Sequence, residues 1–133
     1  MTRAYNNKAI IPEFSWNDID TVLLDMDGTL LDKYFDDYFW EEFVPLVYAE
    51  KNGLSIPAAI QQLLTRYRSV QSTLLWTDLD YWSVQLDLDI PELKRKIDHL
   101  IKVHPWVIEF LDFLQSKKKA VHLVTAAHSK TLE

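Results

Sequence analysis

Residues 21–32, Thr-Val-Leu-Leu-Asp-Met-Asp-Gly-Thr-Leu-Leu-Asp, constrain this chain more than any other stretch. Val22, Leu23 and Leu24 form a short apolar run of the kind that fills a strand buried on both faces. The run stops at Asp25. Asp27 follows two residues later, and on extended chain side chains two apart point the same way. Gly28 then permits a turn that residues with a Cβ resist. Two carboxylates therefore leave the end of a strand together. Ligands of parallel α/β sheets bind at the carboxyl ends of strands, which makes this a candidate site.

The pair suits phosphoryl transfer. One carboxylate can attack phosphorus to form an aspartyl-phosphate. The other can protonate the leaving oxygen and later deprotonate the attacking water. Two acids this close repel each other and repel an anionic substrate. A divalent cation relieves that repulsion, and hard oxygen ligands select magnesium. Backbone N–H groups in the turn after Asp25 can hold phosphate oxygens. Asp-x-Asp-Gly also opens a helix-loop-helix calcium loop, which needs Gly at its sixth position and Glu at its twelfth. Leu30 and Asp36 stand there, and an apolar run rather than a helix precedes them. A turn with two solvated aspartates is the non-catalytic reading.

The 133 residues suffice for one modest domain. At 48% hydrophobic and 26% charged, the composition is that of a globular chain rather than a disordered one. No apolar run approaches the ~20 residues of a membrane span. Residues 1–16 lack the apolar core of a signal peptide, so the cytoplasm is the expected compartment. The absence of cysteine excludes disulfides and thiolate chemistry. A net charge of −6 argues against nucleic-acid binding. It also means that a phosphate must be attracted locally, by a metal, a lysine or a helix N-terminus.

Along the chain, residues 1–16 read as a polar, irregular arm and 20–25 as the first strand. An aromatic and acidic stretch follows over 34–43, with Asp36 or Asp37 placed to cap a helix. Pro45 predicts a kink or restart. Gly53 ends that helix, and Ser55 with Pro57 starts the next. Ala59, Ile60, Leu63, Leu64 and Tyr67 form its apolar stripe. A third helical segment spans about 79–86. Pro91 opens a fourth, through about 102, whose polar face carries Lys94, Arg95 and Lys96 and reads as solvated. Pro105 opens a fifth with Trp106, Val107, Phe110, Leu111 and Leu114 in its buried stripe. Lys117, Lys118 and Lys119 sit at its C-terminus, where the helix dipole favours cations. Residues 120–124 are the second buried strand. The interval between the strands is far longer than a simple crossover needs, so residues 33–103 are expected to be an inserted helical cap.

Thr125 ends the second apolar run as Asp25 ends the first. A Thr hydroxyl and the following backbone N–H, that of Ala126, can both donate to a phosphate oxygen. His99, His104 and His122 show no metal-ligand spacing. His128 lies just past the second strand, within reach of a substrate there.

Asp25-Met26-Asp27-Gly28-Thr29-Leu30 resembles the first motif of the haloacid dehalogenase-like (HAD) hydrolase superfamily. The resemblance implies a Rossmann-like parallel α/β core with an inserted helical cap. It implies Asp25 as nucleophile and Asp27 as general acid and base. It also implies magnesium held by Asp25 and by Asp27 through its backbone carbonyl, with Gly28 and Thr29 beside the phosphate. Thr125, with Ala126, resembles the phosphate-binding second motif. Further segments are similar to bacterial GMP/IMP 5′-nucleotidases: Trp16-Asn17-Asp18-Ile19-Asp20, Tyr38-Phe39-Trp40, Lys51-Asn52-Gly53, Leu79-Asp80-Tyr81-Trp82 and Thr125-Ala126-Ala127-His128. They imply hydrolysis of a purine nucleoside 5′-monophosphate. The cap's Tyr and Trp residues either stack on the purine or form the cap's own core.

The third-motif lysine and the fourth-motif acidic pair of that superfamily would lie beyond Glu133. The chain is therefore expected to be a truncated form with the first two core strands. Such a form leaves open edges, and it either packs against another copy or is marginally stable. Two alternatives stay open. One is a sugar-phosphate phosphatase or phosphomutase of the same superfamily. The other is a non-catalytic fragment that binds a phosphate ligand or oligomerises.

Overall fold

Residues 11–132 are described in a computed structural model of the chain, so residues 1–10 of the expected arm lie outside the described residues. Strand β1 (Thr21–Leu24) pairs in parallel with β2 (Ala120–Leu123), from Thr21 opposite Ala120 to Leu24 opposite Leu123. Among the described residues these two strands are the whole sheet. Between them run α1 (Tyr34–Tyr38), α2 (Val44–Asn52), α3 (Ile56–Val70), α4 (Leu79–Leu86), α5 (Ile90–Lys96) and α6 (Val107–Ser116). Ahead of β1, Trp16 packs on the Phe113 ring of α6 at 5.4 Å.

The first helical stretch restarts at Pro45, as expected. Proline has no N–H to give, and its ring collides with the carbonyl four residues back. One π-helical turn, Phe39–Phe43, absorbs the misfit, and α2 begins with Pro45 in its first turn. Asp36 and Asp37 do not cap this stretch, contrary to expectation. Asp32 Oδ1 takes the Tyr34 N–H at 2.8 Å instead. With that amide satisfied, Asp36 pairs with Lys94 and Asp37 with Lys33. Gly53 closes α2 in the left-handed region at φ 63°. Ser55 caps α3, Asp78 caps α4 and Asp89 caps α5. The fourth predicted helix is shorter than expected: α5 ends at Lys96, and a 3-10 turn, Asp98–Leu100, follows.

The hydrophobic core lies among the helices. Phe39, Leu63, Trp82 and Ile90 are fully enclosed there. Tyr67 is buried from α3, and its hydroxyl donates to the Trp40 carbonyl at 3.1 Å. Burial raises the Tyr67 pKa and keeps the phenol neutral. The Trp82 indole N–H donates to the Trp76 carbonyl at 2.9 Å, so both large amphipathic side chains are buried with their polar atoms satisfied.

The strands depart from expectation. Neither is buried on both faces. Val22 and Leu24 are half-buried while Leu23 is 66% exposed, and every residue of β2 is exposed. Side chains alternate across a strand, so β1 is partly covered on one face, while β2 is exposed along its whole length. Trp106 also leaves the expected buried stripe. It takes the N-cap position of α6 in the left-handed region, at φ 65°, which turns its ring outward to 65% exposure. Leu114 carries the buried end of that helix. Among the described residues no helix is long and apolar enough to cross a membrane.

Trp82→Ala should destabilise the chain by about 3–5 kcal/mol in urea denaturation. Val84→Ala, on the exposed side of the same helix, should stay within about 0.5 kcal/mol. Similar effects at the two positions would contradict a core centred on the helices.

Candidate functional site

β1 delivers Asp25 to a tight turn. The Asp25 carboxylate accepts the Met26 N–H at 2.8 Å. The Met26 carbonyl takes the N–H groups of Thr29 (3.2 Å), Leu30 (3.0 Å) and Leu31 (3.0 Å), and the Gly28 N–H donates to the Leu31 carbonyl at 2.9 Å. Most amides of the turn are thus spent inside it. The Gly28 and Thr29 amides are therefore taken up within the turn, and among the described residues the Asp27 N–H is the turn amide left open to a phosphate oxygen. Among the described residues the Asp27 N–H makes no hydrogen bond and the Asp27 carbonyl accepts none. Gly28 is at φ 75°, and a Cβ there would meet the Lys33 stem at 3.1 Å.

A cavity of about 100 Å³ opens beside Asp27. Its wall includes Met26 and Asp27 from the turn, Asp36, Trp40 and Lys94 from the helices, and His128 from the segment after β2. Asp27 is raised from the ordinary aspartate range, first by desolvation, then by the Asp36 charge and, more weakly, by Asp25. The Lys94 ammonium acts in the opposite direction. A carboxyl that holds its proton more readily is suited to donate it.

The second strand end lies beside the first. The Val124 N–H donates to the Leu24 carbonyl at 2.8 Å, which extends the pairing to the residues next to Asp25 and Thr125. The Thr125 hydroxyl oxygen accepts the Ala127 N–H at 3.0 Å. The Ala126 N–H makes no hydrogen bond among the described residues. The structure brings Asp27, Ala127 and His128 to one cavity wall. Asp25, Gly28, Thr29, Thr125 and Ala126 lie at the two strand exits and are not part of that wall.

Lys94 departs from its sequence reading. Arg95 and Lys96 are exposed as expected, but the Lys94 side chain is only 13% exposed and faces the cavity. Its charge sits 2.9 Å from Asp36 Oδ1 and over the rings of Phe35, Phe39 and Trp40 at 5.1–5.7 Å. Lysine has the same helical phase as its apolar neighbours only when read with Ile90, Leu93 and Ile97, and that phase is the signal that could have found it.

Asp25 and Asp27 offer hard oxygen donors, two carboxylates and an unused carbonyl, and these fit magnesium. A second group was missed because it joins distant segments. Asp78, Asp80 and His128 each bring one ligand atom, all within 4.8 Å of one another. One oxygen of each aspartate already has a partner: Asp78 Oδ1 accepts the Asp80 and Tyr81 N–H groups, and Asp80 Oδ1 accepts from Lys130 at 2.6 Å. The Lys130 hydrogen bond, then the charges of Lys130 and His128, hold Asp80 below the usual carboxylate range against the opposing effect of desolvation. In this arrangement the group clasps the segment after β2 onto α4.

Gly28→Ala should destabilise the chain by about 1–2 kcal/mol in thermal unfolding, since a Cβ is disfavoured at positive φ and meets Lys33 as well. Gly53→Ala also sits at positive φ but has no neighbour within 4 Å, and should cost less. The reverse order would contradict the packing of Lys33 against the turn.

The chain is 44% identical over 118 residues to the GMP/IMP nucleotidase YrfG of Escherichia coli (strain K12), a match that covers 89% of this chain and 53% of that protein. The protein of the same name from Shigella flexneri matches to the same extent. The chain thus spans about half the length of the curated relatives it matches. No family model matches the chain. Its fold is similar to a crystal structure of a HAD phosphatase from Thermococcus onnurineus, with a TM-score of 0.72 and 26% identity, over 85% of this chain and 54% of that one. Sequence likeness and fold likeness agree with the Asp25 turn at the end of a parallel strand, and together they support the haloacid dehalogenase-like superfamily over the part of those relatives that the chain spans.

Proposed function

We propose that the chain carries the nucleophile and the general acid of a phosphomonoester hydrolase site that acts on purine nucleoside 5′-monophosphates. The observation that carries the reading is the cavity on Asp27, at the carboxyl end of β1, where the helices and the exit of β2 meet. The purine nucleotide as substrate is supported by the 44% identity to proteins named GMP/IMP nucleotidases. In this reading residues 33–103 act as an inserted cap over the strand ends.

Asp25 attacks phosphorus while the bond to the 5′-oxygen breaks, and Asp27 gives its proton to that oxygen. The nucleoside leaves. Asp27 then takes a proton from water as the water attacks the aspartyl-phosphate, which releases phosphate and restores Asp25. The raised affinity of Asp27 for its proton favours the first of these steps. The Thr125 hydroxyl and the uncommitted Ala126 N–H hold phosphate oxygens. Magnesium, bound by Asp25 and Asp27, would offset the charge of the phosphoryl group.

A larger cavity, about 570 Å³, adjoins the small one and shares Asp36, Trp40 and Trp76 with it. That volume falls in the range of small-molecule sites. Trp40 and Trp76 line it with Arg68 and Gln71, which suits a base that needs both a stacking face and hydrogen bonds. Phe39 and Trp82 are core, so the aromatic residues divide between the two roles.

The test is phosphate release from GMP and IMP by the full chain, with and without magnesium. Release should require magnesium, vanish in Asp25→Asn and fall at least about 10²-fold in Asp27→Asn. Release that Asp25→Asn leaves unchanged would contradict the assignment, and equal release from sugar phosphates would contradict the nucleotide preference.

A further inference from the structure

We infer that Lys94 is a phosphate-binding residue supplied by the helices, which reaches the substrate's phosphoryl group in the cavity beside Asp27. The inference rests on the reading of the Asp25–Asp27 turn as a phosphoryl-transfer site. It begins from a charge problem. The chain carries −6, and the wall of the small cavity holds two further acids, Asp27 and Asp36. Magnesium at the Asp25–Asp27 turn would offset part of a phosphoryl group's charge, and the repulsion from Asp36 on the helices calls for a second cation there. Lys94 is the only lysine or arginine on that wall among the described residues.

The geometry suits the task. An ammonium has three N–H donors. Among the described residues Lys94 Nζ makes one hydrogen bond, to Asp36 Oδ1 at 2.9 Å, which leaves two donors. Three aromatic rings surround the group, with Phe39 nearest at 5.1 Å, and fix it without consuming those donors. Ordering a lysine side chain and burying its charge is costly, and a single carboxylate on the rim compensates only in part. The neighbours show the contrast: Arg95, one residue on, pairs with Glu92 at the surface with 65% of its side chain exposed. The cavity holds about 100 Å³, the space of about three waters, which is the scale of a phosphate group rather than a nucleoside. The adjoining larger cavity leaves room for the rest of the molecule.

Asp36 then has a definite part. It positions the ammonium through one N–H and competes with the phosphate for the charge. The two members of the pair should therefore act in opposite directions on phosphate affinity. A pair that only holds α5 against α1 would instead lose stability from either side with no change in affinity.

The experiment is calorimetric titration of inorganic phosphate into the full chain, with magnesium present throughout. The unmodified chain should bind, and Lys94→Met should weaken binding at least about tenfold, the loss expected for charge-assisted hydrogen bonds. Lys94→Arg, which keeps the charge and the donors, should restore most of the affinity. Asp36→Asn should tighten binding, and this variant keeps the test decisive if Lys94→Met fails to fold. Unchanged affinity in Lys94→Met, weaker binding in Asp36→Asn, or no binding by the unmodified chain would each overturn the inference. The readout needs no turnover. Release of phosphate from GMP by a chain whose phosphate affinity ignores Lys94 would sink the inference and leave the hydrolase reading standing. Lys94-dependent binding with no hydrolysis of GMP or IMP would do the reverse.

Discussion

Parallel pairing of β1 with β2 is the constraint on which the site depends. Two parallel strands in register send their carboxyl ends out on the same side. That alone brings the residues after Leu24 next to the residues after Leu123, although about a hundred positions separate them in sequence. It also forces the intervening chain to travel back. Here the return path is a set of helices with a core of its own, and Asp36, Trp40 and Lys94 of those helices share one cavity wall with Met26, Asp27 and His128. The cavity on Asp27 is the space left between these two bodies of structure.

The apolar core and the candidate chemistry are thus separated. Almost every fully buried side chain belongs to the helices, while the strands carry exposed Leu23, Val121 and Leu123. Rigid helical packing can then hold Trp40, Asp36 and Lys94 in place at the cavity regardless of how much of the sheet is covered. The turn at Gly28 is held by different means, its own hydrogen bonds to the Met26 and Leu31 carbonyls. Electrostatics link the two parts. Asp36 and Asp25 raise the proton affinity of Asp27 and Lys94 lowers it, so a charge on a helix acts on an acid beside a strand.

Local signals made the elements legible. The apolar runs marked both strands, Pro45 marked the restart after the π-helical turn, and Gly53 and Ser55 marked a helix end and start within a residue. What failed depended on distant partners. Strand burial requires layers on both faces, which no three-residue run can report, and Leu23 is exposed. Trp106 fits a buried stripe by spacing, but its left-handed backbone puts it outside the helix. Of the candidate site, Asp25 and Asp27 stand out in the strand-turn pattern. Lys94 does not, because in sequence it sits inside a basic triplet whose other two members are exposed, and its partner Asp36 lies 58 residues away. The Asp78, Asp80 and His128 group was hidden for the same reason.

The claim at the centre of this account is that the Asp25 carboxylate becomes covalently attached to phosphorus. Borohydride reduction of the full chain, quenched during turnover of GMP with magnesium, tests it most directly. An acyl phosphate accepts hydride where a carboxylate does not, so peptide mass analysis should find Asp25 converted to homoserine and Asp27 unchanged. Release of phosphate with Asp25 unmodified, or with the reduction at another acid, would contradict the account.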